Sequence, residues 1–318
     1  MKTLKYKKTI IISPCQPYNF KATIFKPSHF PITTEIFDNN KFYFSMNWKN
    51  DIYGIKLESI EEEKILISIF YQKELTNDIF IEIINEIKYR FDMNSSLKEF
   101  IKLAEASDIL NKIEKKWHGM RPRCAYSLYE LLCITLVLQN AQVSRSISML
   151  KTMLKTYGQE IIFDNKQLSV FWLPKELVKI SDSELRSLKI GYRAKTFLRQ
   201  ANFFQDNKNF EIEIRKLNKT DTTKKLLEIY GIGNASVWYL LFENLHYYDA
   251  FDYISPWENK ILSKILYDNL DVEADIILSY AKKHWSGYRM LAIHYIFENI
   301  FWMRREKDID WLNKLIRM

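Results

Sequence analysis

The sequence predicts an α+β protein, with a β-rich N-terminal domain at residues 1–100 and an all-helical domain at residues 101–318. Three early segments are rich in aromatic and β-branched residues and are separated by short polar links, which is typical of a β-meander. These segments are 42–48, 52–60 and 65–71. Helical spacing of apolar residues begins near Asn77 and continues through the rest of the chain. Only seven glycines and seven prolines occur among 318 residues, which favours long helices.

Local signals then define the helices in order. Five apolar residues share one face of the first helix, which we expect to begin near Asn77. They are Phe80, Ile83, Ile84, Ile87 and Phe91. Residues 127–140 predict a long apolar helix, and residues 144–157 predict an amphipathic helix that Gly158 ends.

Capping signals and spacing predict the later helices. Pro174 suits a first helical turn, and Ser181 with Glu184 predicts a capping box for the following helix. Residues 194–204 and 222–230 have helical spacing as well. The second domain is therefore expected to be helical throughout.

Charge and cysteine content narrow the class of function. The formal net charge of +8 suits a nucleic-acid partner. The three cysteines, Cys15, Cys124 and Cys133, form no Cys-x-x-Cys pair, and the histidines lack metal-ligand spacing. This pattern argues against a disulfide framework, a zinc site and a four-cysteine iron–sulfur cluster, so we expect neither a metal nor a cofactor.

Targeting and membrane segments are not expected. The apolar stretch at residues 9–12 is too short for a signal-peptide core before Pro14. The apolar run at residues 290–303 is interrupted by His294 and Glu298, which indicates a buried or amphipathic helix rather than a membrane span. We expect an intracellular protein, in the cytoplasm or nucleoid, or in the nucleus of a eukaryote.

The segment Gly231-Ile232-Gly233 lies between two helical segments and predicts a helix-hairpin-helix turn. Glycine tolerates positive φ without steric cost, and the missing Cβ lets a phosphate approach the backbone. Free N–H groups at the start of the second helix, as far as Ser236, can then bind the anion. Such contacts hold DNA without reading its sequence. Taken alone, the motif also fits a helical corner whose glycines serve only packing.

Together with four other segments, this hairpin resembles the helix-hairpin-helix DNA glycosylases, in particular their alkyladenine and 8-oxoguanine branches. It is preceded by Leu-Leu-x-Ile and followed by Asp249-Ala250-Phe251. The other similar segments, in the order of the family, are residues 117–122, 138–145, 188–195 and 285–292. The ordered set is a stronger signal than any one motif. The β-rich first domain is similar in texture to the family's additional N-terminal, TBP-like domain.

The resemblance implies a substrate and a mechanism. Family members flip a damaged base out of duplex DNA and cut its N-glycosidic bond. A carboxylate at the mouth of the pocket stabilises the cationic sugar and helps to orient water. The expected partner is therefore double-stranded DNA that contains an alkylated or oxidised base. The protein is expected to bind it as a monomer, without a cofactor, in base excision repair.

Two positions depart from the family's pattern. Bifunctional members carry a lysine nucleophile two residues past the second glycine, where this chain has Ala235, so lysine-dependent AP lyase activity is not expected. In the alkyladenine branch the catalytic aspartate lies six residues after the Asp of the Asp-Ala-Phe segment, where this chain has Ser255. The sequence therefore predicts a monofunctional glycosylase, with a catalytically impaired lesion-binding protein as the alternative.

Ser255 has a structural meaning of its own. The segment Ser255-Pro256-Trp257-Glu258 has the residue types of an N-cap, a first helical position and the acidic partner of a capping box. Asp252 and Glu258 are the candidate replacements for the missing carboxylate, and Asp252 ranks first because the capping box would occupy Glu258. Alternatively, Ser255 holds a water and the reaction depends on a labile, cationic lesion base.

The resemblance also suggests residues that meet DNA. Gln139 and Asn140 match the family's probe of the opposite strand, although they equally suit a polar helix end. Three basic residues could contact phosphates or remain solvated, namely Arg145, Arg193 and Lys195. Tyr192 and Trp257 could stack on a flipped base. Trp238, which lies inside a helix, is more simply explained as a core residue.

Overall fold

The computed structural model describes residues 1–29, 31–61 and 63–315, and it confirms the α+β class. The strands of its first layer are β1 (Lys2–Thr3), β2 (Tyr6–Ile12), β3 (Glu35–Asp38), β4 (Lys41–Trp48), β5 (Asp51–Ile60) and β6 (Lys64–Tyr71). The last five form an antiparallel sheet in the order β2-β6-β5-β4-β3. The meander β4-β5-β6 that the sequence predicts is confirmed, and β2 and β3 extend it at the two edges.

The helices follow the sheet, apart from one short helix that precedes β3. They are α1 (Phe20–Ile24), α2 (Asn77–Arg90), α3 (Lys98–Glu105), α4 (Asp108–Lys116), α5 (Leu128–Leu138), α6 (Val143–Tyr157), α7 (Pro174–Leu177), α8 (Asp182–Ser187), α9 (Arg193–Asp206), α10 (Phe210–Ile214), α11 (Lys219–Leu227), α12 (Asn234–Glu243), α13 (Pro256–Tyr267), α14 (Ala274–His284), α15 (Arg289–Glu306) and α16 (Asp310–Leu315). The helices predicted at 127–140, 144–157 and 194–204 are confirmed as α5, α6 and α9. Among the described residues, no helix combines the length and apolarity that crossing a membrane requires.

Helix α2 covers one face of the sheet. Thr76 caps it by accepting a hydrogen bond from the N–H of Ile79. The predicted apolar face of α2 is buried, with Ile83 and Ile87 in the same core as Ile55 of β5. Burial of this face provides the main packing energy between the sheet and the first long helix.

A β-hairpin interrupts the helices, so the expectation of an all-helical second domain is wrong for one segment. Its strands are β7 (Gln159–Phe163) and β8 (Lys166–Val170), and β7 also pairs in parallel with β1. Asp164 and Asn165 form the turn, with φ of +47° and +59°. Asp and Asn tolerate this left-handed region, and a two-residue turn of this kind matches the twist of the strands. The hairpin thereby joins the chain after α6 to the N-terminal layer.

Phe163 anchors this hairpin to the sheet. Its ring lies 5.0 Å from that of Phe70 and occupies the space in which a Cβ on Gly54 would approach it to 2.5 Å. We expect Phe163→Ala to lower the free energy of unfolding by about 3–5 kcal/mol, because it leaves a buried cavity. Urea unfolding measures this loss. The exposed Gln167→Ala on the same hairpin is the control and is expected to change stability by less than about 0.5 kcal/mol. Equal effects of the two substitutions would contradict the anchoring role.

Buried Arg121 ties the N-terminal layer to the helices. Its guanidinium donates hydrogen bonds to the carbonyl oxygens of Ser95 (2.6 Å), Cys15 (2.9 Å) and Pro17 (2.9 Å). Three separate segments therefore meet at one fully buried cation. Charge-assisted hydrogen bonds of this kind fix geometry, since each acceptor that is lost leaves an N–H of a buried cation unsatisfied.

Candidate functional site

The predicted hairpin joins α11 and α12, and its two glycines have different roles. Gly231 has a φ of +87°, and a Cβ on it would lie 2.7 Å from Cγ2 of Thr196. The backbone there requires glycine. Gly233 is the N-cap of α12 with a φ of −114°, and no atom lies within 4 Å of where its Cβ would be. Gly233 therefore leaves the start of α12 open to the outside.

Unpaired amides surround this open helix start. Within the described part of the chain, the N–H groups of Gly233, Asn234 and Ala235 have no hydrogen-bond acceptor. The N–H of Ser236 donates to the carbonyl of Gly233 at 2.9 Å, so Ser236 can offer an anion only its hydroxyl. Ile232 packs against the larger helical core, which holds the hairpin in place. Free amides at the positive end of a helix dipole form a site for an anion such as a phosphate.

The sequence prediction that Ser255 caps a helix is confirmed. Ser255 Oγ accepts from the N–H of Glu258 at 3.3 Å, and Glu258 Oε2 accepts from the N–H of Ser255 at 3.0 Å. Pro256 occupies the first position of α13. The capping box fixes the Glu258 carboxylate on the backbone, so Ser255 presents a hydroxyl at a rigid helix start.

Arg289 at the start of α15 clamps the loop that leads to Ser255. Asp249 accepts from Arg289 Nε and Nη2, both at 2.8 Å, and from the N–H of Gly287 at 2.8 Å. Asp252 Oδ1 accepts from Arg289 Nη1 at 2.7 Å, and its Oδ2 accepts from Lys219 Nζ at 3.0 Å. Asp249 therefore braces the loop against the start of α15.

The same contacts compensate the negative charge of Asp252, the first-ranked replacement for the missing carboxylate. Partial burial would raise the pKa of Asp252, but the hydrogen bonds from Arg289 and Lys219 outweigh burial and lower it. The carboxylate remains ionised, and each of its oxygens faces a cation. Its charge is thus largely compensated before any substrate binds.

Comparisons with known proteins agree with this geometry. The DNA-3-methyladenine glycosylase of Bacillus subtilis (strain 168) is 25% identical over 171 residues, which are 54% of this chain and 56% of that protein, about half of each. No protein-family model matches the sequence. The 3-methyladenine DNA-glycosylase from Archaeoglobus fulgidus superposes with a TM-score of 0.75 at 13% identity, covering 92% of this chain and 98% of that one. The 8-oxoguanine glycosylase/lyase from Clostridium acetobutylicum, in its apo-form, gives 0.69 at 16% identity, with coverage of 92% and 97%.

This is the helix-hairpin-helix DNA glycosylase fold. Within it, α12 runs from the hairpin to a cavity of about 100 Å³. Tyr239 and Glu243, one turn apart on α12, line this cavity. The remaining lining residues come from β3, from α5 and from the segments that precede these two elements, namely Ser28, His29, Ile32, Glu35, Arg123, Cys124, Tyr126, Leu131, Ile134 and Leu138.

A larger cleft of about 620 Å³ adjoins this cavity and shares one wall with it. Four residues line both spaces, namely His29, Ile32, Glu35 and Arg123. Phe301 of α15 lines the cleft, and the ring of Trp257 lies 6.4 Å from it and 5.7 Å from that of Phe297. The start of α13 is therefore packed along the helix that forms one side of the cleft.

Paired and unpaired charges are buried around the cavity. Arg123 and Glu35 form a bidentate ion pair at 2.8 and 2.9 Å. Lys26, which lines the cleft, lies with Nζ 3.0 Å from Nε2 of His294. Burial lowers the pKa of Lys26 to about 8, partly offset by Glu298 and Glu243. Burial and Lys26 keep the pKa of His294 well below its usual value, so neutral His294 accepts the hydrogen bond.

The carboxyl of Glu243 differs from the other charged groups of the cavity. Glu243 is buried, yet among the described residues its side chain has no hydrogen-bond partner. Burial raises the pKa of Glu243 to about 7, partly offset by Lys26 and reinforced by Glu298. Glu298 itself accepts from Ser28 Oγ, while its Oε2 is buried and has no hydrogen-bond partner among the residues that the structure describes. Glu243 and Glu298 thus outnumber Lys26, which leaves the cluster with one surplus carboxyl.

We expect the difference in unfolding free energy between the wild type and Glu243→Gln to depend on pH. The folded pKa of Glu243, about 7, exceeds the unfolded value of about 4.3. The stability contributed by the protonated carboxyl is fully present below the unfolded pKa and is lost as pH rises through the folded pKa. The wild type should therefore lose on the order of 3 kcal/mol relative to the variant between about pH 4 and about pH 8. Urea unfolding across this range measures the difference, and a pH-independent difference would contradict the assignment.

The sequence-predicted probe loop lies between α5 and α6. Asn140 is exposed with a φ of +49°, and Gln139 is the C-cap of α5. Arg193 is buried and donates to the carbonyl of Leu136 at 3.0 Å and to that of Gln139. The expectation that Arg193 meets phosphates is therefore wrong, because its guanidinium satisfies the last carbonyls of a helix and shapes the loop.

The other predicted contact residues lie at separate places. Arg145 is exposed and donates to the carbonyl of Lys189, and Lys195 is exposed on α9. Tyr192 and Trp257 line neither the cavity nor the cleft: the ring of Tyr192 lies against the Arg193 guanidinium, and that of Trp257 packs on Phe297 and Phe301. No group of three or more potential metal ligands occurs among the described residues.

The residues that line the cavity and the adjacent cleft are not identified by the sequence analysis. Lys26, Tyr239 and Glu243 come from two distant segments, and no short motif contains them. One signal was present, since Glu243 ends an otherwise apolar helix. In the sequence, His294 and Glu298 only interrupt an apolar run. Their spacing of four residues nevertheless places both side chains on one face of α15. Buried polar residues at helical spacing indicate a site when they lack partners.

Proposed function

We propose that this protein is a monofunctional DNA glycosylase that flips an alkylated or oxidised base out of duplex DNA and hydrolyses its N-glycosidic bond in base excision repair. The observation that carries the proposal is the course of α12. This helix begins at the open amides of Gly233 and lines the cavity with Tyr239 and Glu243. DNA held by a phosphate at the hairpin therefore lies at one end of the helix whose side receives the base.

The chemistry divides between the base and the sugar. The bond from C1′ to the base nitrogen breaks with both electrons passing to the base, and water supplies the hydroxyl that C1′ gains. The proton that the water loses passes to the departing base, or to solvent when the base is cationic and leaves neutral. Positive charge develops on the sugar, and a fixed negative group nearby lowers the barrier. Ser255 orients water through its hydroxyl at a rigid helix start but carries no charge. Excision is therefore expected to be slow and to favour bases that leave readily.

The absence of lyase chemistry rests on Ala235. It lies in the first turn of α12, two residues past the second glycine, where an amine would be needed. Without that amine the sugar is not captured as a Schiff base, and the DNA strand stays intact after base release. Gln139 and Asn140 at the probe loop, Arg145 on α6 and Lys195 on α9 are the proposed contacts to the remaining DNA.

The domain organisation belongs to the same proposal. We propose that residues 1–100 act as the TBP-like accessory domain of the family and that residues 101–318 form the glycosylase domain, working as a monomer. The basic excess of the chain supports binding to DNA.

A second candidate function is lesion binding without catalysis. Two observations favour it: the uncharged hydroxyl of Ser255 and the double pairing of Asp252 with Arg289 and Lys219. In that case the cavity would still receive a flipped base, and the protein would mark the lesion for other enzymes.

One experiment separates the two functions. Duplexes with single alkylated, oxidised or deaminated bases are incubated with excess protein and then treated with alkali, which cuts abasic sites. Strand breaks that appear only after alkali support the monofunctional glycosylase. Breaks without alkali would contradict the absence of lyase activity. Tight binding to a lesion without any breaks would replace the proposed function with lesion binding.

A further inference from the structure

Glu243 is a buried acceptor with no partner of its own. Its carboxyl lines the cavity and has no hydrogen-bond partner in the described part of the chain, although the residue is only 7% exposed. Unpartnered buried polar groups are costly and are therefore uncommon unless a ligand satisfies them. The carboxyl thus faces a space that is ready for a group with N–H donors.

The neighbours of Glu243 do not supply those donors. Arg123 is held by both oxygens of Glu35, and Lys26 is held by His294. Glu298 adds a second carboxyl to the same cluster. The surplus negative charge disfavours a ligand that presents a lone pair to Glu243, and it favours one that presents hydrogens.

We propose that Glu243 reads the Watson–Crick edge of the flipped base and selects lesions of guanine, the bases that offer two adjacent N–H donors. This inference rests on the proposed function. At a pH above its folded pKa of about 7, the carboxyl of Glu243 is ionised and has two acceptor oxygens and no donor, so binding is measured at about pH 8.5. The N1–H and 2-amino group of a guanine lie side by side and match the two oxygens. Adenine presents an N1 lone pair beside its amino group, and this lone pair would face one of the oxygens.

Tyr239 completes this recognition from the same helix. It lies one turn before Glu243, lines the same cavity and keeps about a third of its surface accessible (36%). A ring in this place offers a face on which a planar base can stack, as flipped bases commonly do. Stacking tolerates any base, so the discrimination falls to the carboxylate.

Equilibrium binding to three lesion duplexes tests the inference. The lesions are 8-oxoguanine, hypoxanthine and 1,N6-ethenoadenine, built as 2′-fluoroarabino nucleotides that resist excision. They offer two, one and no N–H donors at the Watson–Crick edge. We expect affinity to fall in this order, with the 8-oxoguanine duplex bound at least about 10-fold more tightly than the ethenoadenine duplex. Glu243→Gln should remove most of this difference.

Three controls separate the inference from the proposed function. A duplex with a tetrahydrofuran abasic site has no base, so Glu243→Gln should leave its affinity unchanged. Glu114→Gln changes a buried carboxyl of α4 that lines neither the cavity nor the cleft and lies outside the cluster of Lys26, Glu243 and Glu298, and it should keep the order of affinities. A thermal unfolding transition verifies that each variant is folded.

The outcomes point to different conclusions. An order of affinities that Glu243→Gln leaves intact would overturn the role of Glu243, while the proposed function would stand. Preference of the wild type for ethenoadenine would overturn the guanine selection. If the wild type binds every lesion and the abasic site no better than undamaged DNA, the proposed function itself is contradicted.

Discussion

Ser255→Asp is expected to raise the single-turnover rate of base excision by about 100-fold or more. A well-placed charge at a developing cation is worth about 3 kcal/mol, and the serine supplies none. Serine and aspartate are equally good N-cap residues, and Ser255 already has the extended backbone of a cap, with φ −73° and ψ 155°. The substitution therefore adds charge without disturbing α13.

Ser255→Asn is the matched control, because asparagine caps a helix as well as aspartate does but carries no charge. Base release from a lesion duplex under single-turnover conditions measures all three proteins. Equal rates for the Asp and Asn variants would show that charge at this position does not limit the reaction. In the wild-type background, Asp252→Asn and Glu258→Gln then identify whether either carboxylate already assists. If both variants keep the wild-type rate, neither Asp252 nor Glu258 assists the reaction.

Gly233→Asp is expected to weaken binding to duplex DNA by about 10-fold or more at low salt. Aspartate is a favourable N-cap, and space around Gly233 admits a side chain, so the fold should be unchanged or more stable. The new carboxylate, however, lies where the open amides are proposed to hold a phosphate. Stability and DNA affinity are thus expected to move in opposite directions.

Gly233→Asn controls for the size of the side chain. It should cap α12 in the same way and retain most of the affinity, because it brings no charge. Fluorescence anisotropy at several salt concentrations measures both variants, and the difference between them should shrink as salt rises. A loss of affinity that is equal for Asp and Asn would point to steric blocking. An unchanged affinity for both would remove the hairpin from the DNA interface.

Local signals predicted the parts of the fold that depend on neighbours in sequence. The strands β4 to β6 follow from alternating aromatic and β-branched residues, and the start of α13 follows from Ser255, Pro256 and Glu258. These features depend on backbone geometry within a few residues, which composition and spacing determine.

The hairpin of β7 and β8 was missed although its signals were present. Leu168 and Val170 alternate with the polar residues Gln167 and Ser169 after Asp164-Asn165, a turn that accepts positive φ. This short segment lies between helices, and the strand that pairs with it, β1, lies more than a hundred residues earlier in the sequence. The local sequence pattern of either segment does not indicate which distant segment pairs with it.

The site was predicted only in part, for a related reason. The hairpin and Ser255 are local features, whereas the cavity combines Ile32, Arg123 and Glu243 from three segments. Arg193 shows the converse error, because a basic residue in a DNA-binding motif was assigned to phosphates and instead satisfies helix carbonyls. Charge is visible in a sequence, but burial and the direction of a side chain are decided by packing.

Excision of a damaged base by this protein is tested most directly by mass-spectrometric detection of the free base released from lesion duplexes. Excess wild-type protein and Ser255→Asp are incubated with duplexes that carry single alkylated or oxidised bases. We expect slow release of a damaged base by the wild type, faster release by the variant, and an intact DNA strand in both reactions. Release of no base by either protein, with equal affinity for damaged and undamaged duplexes, would contradict it.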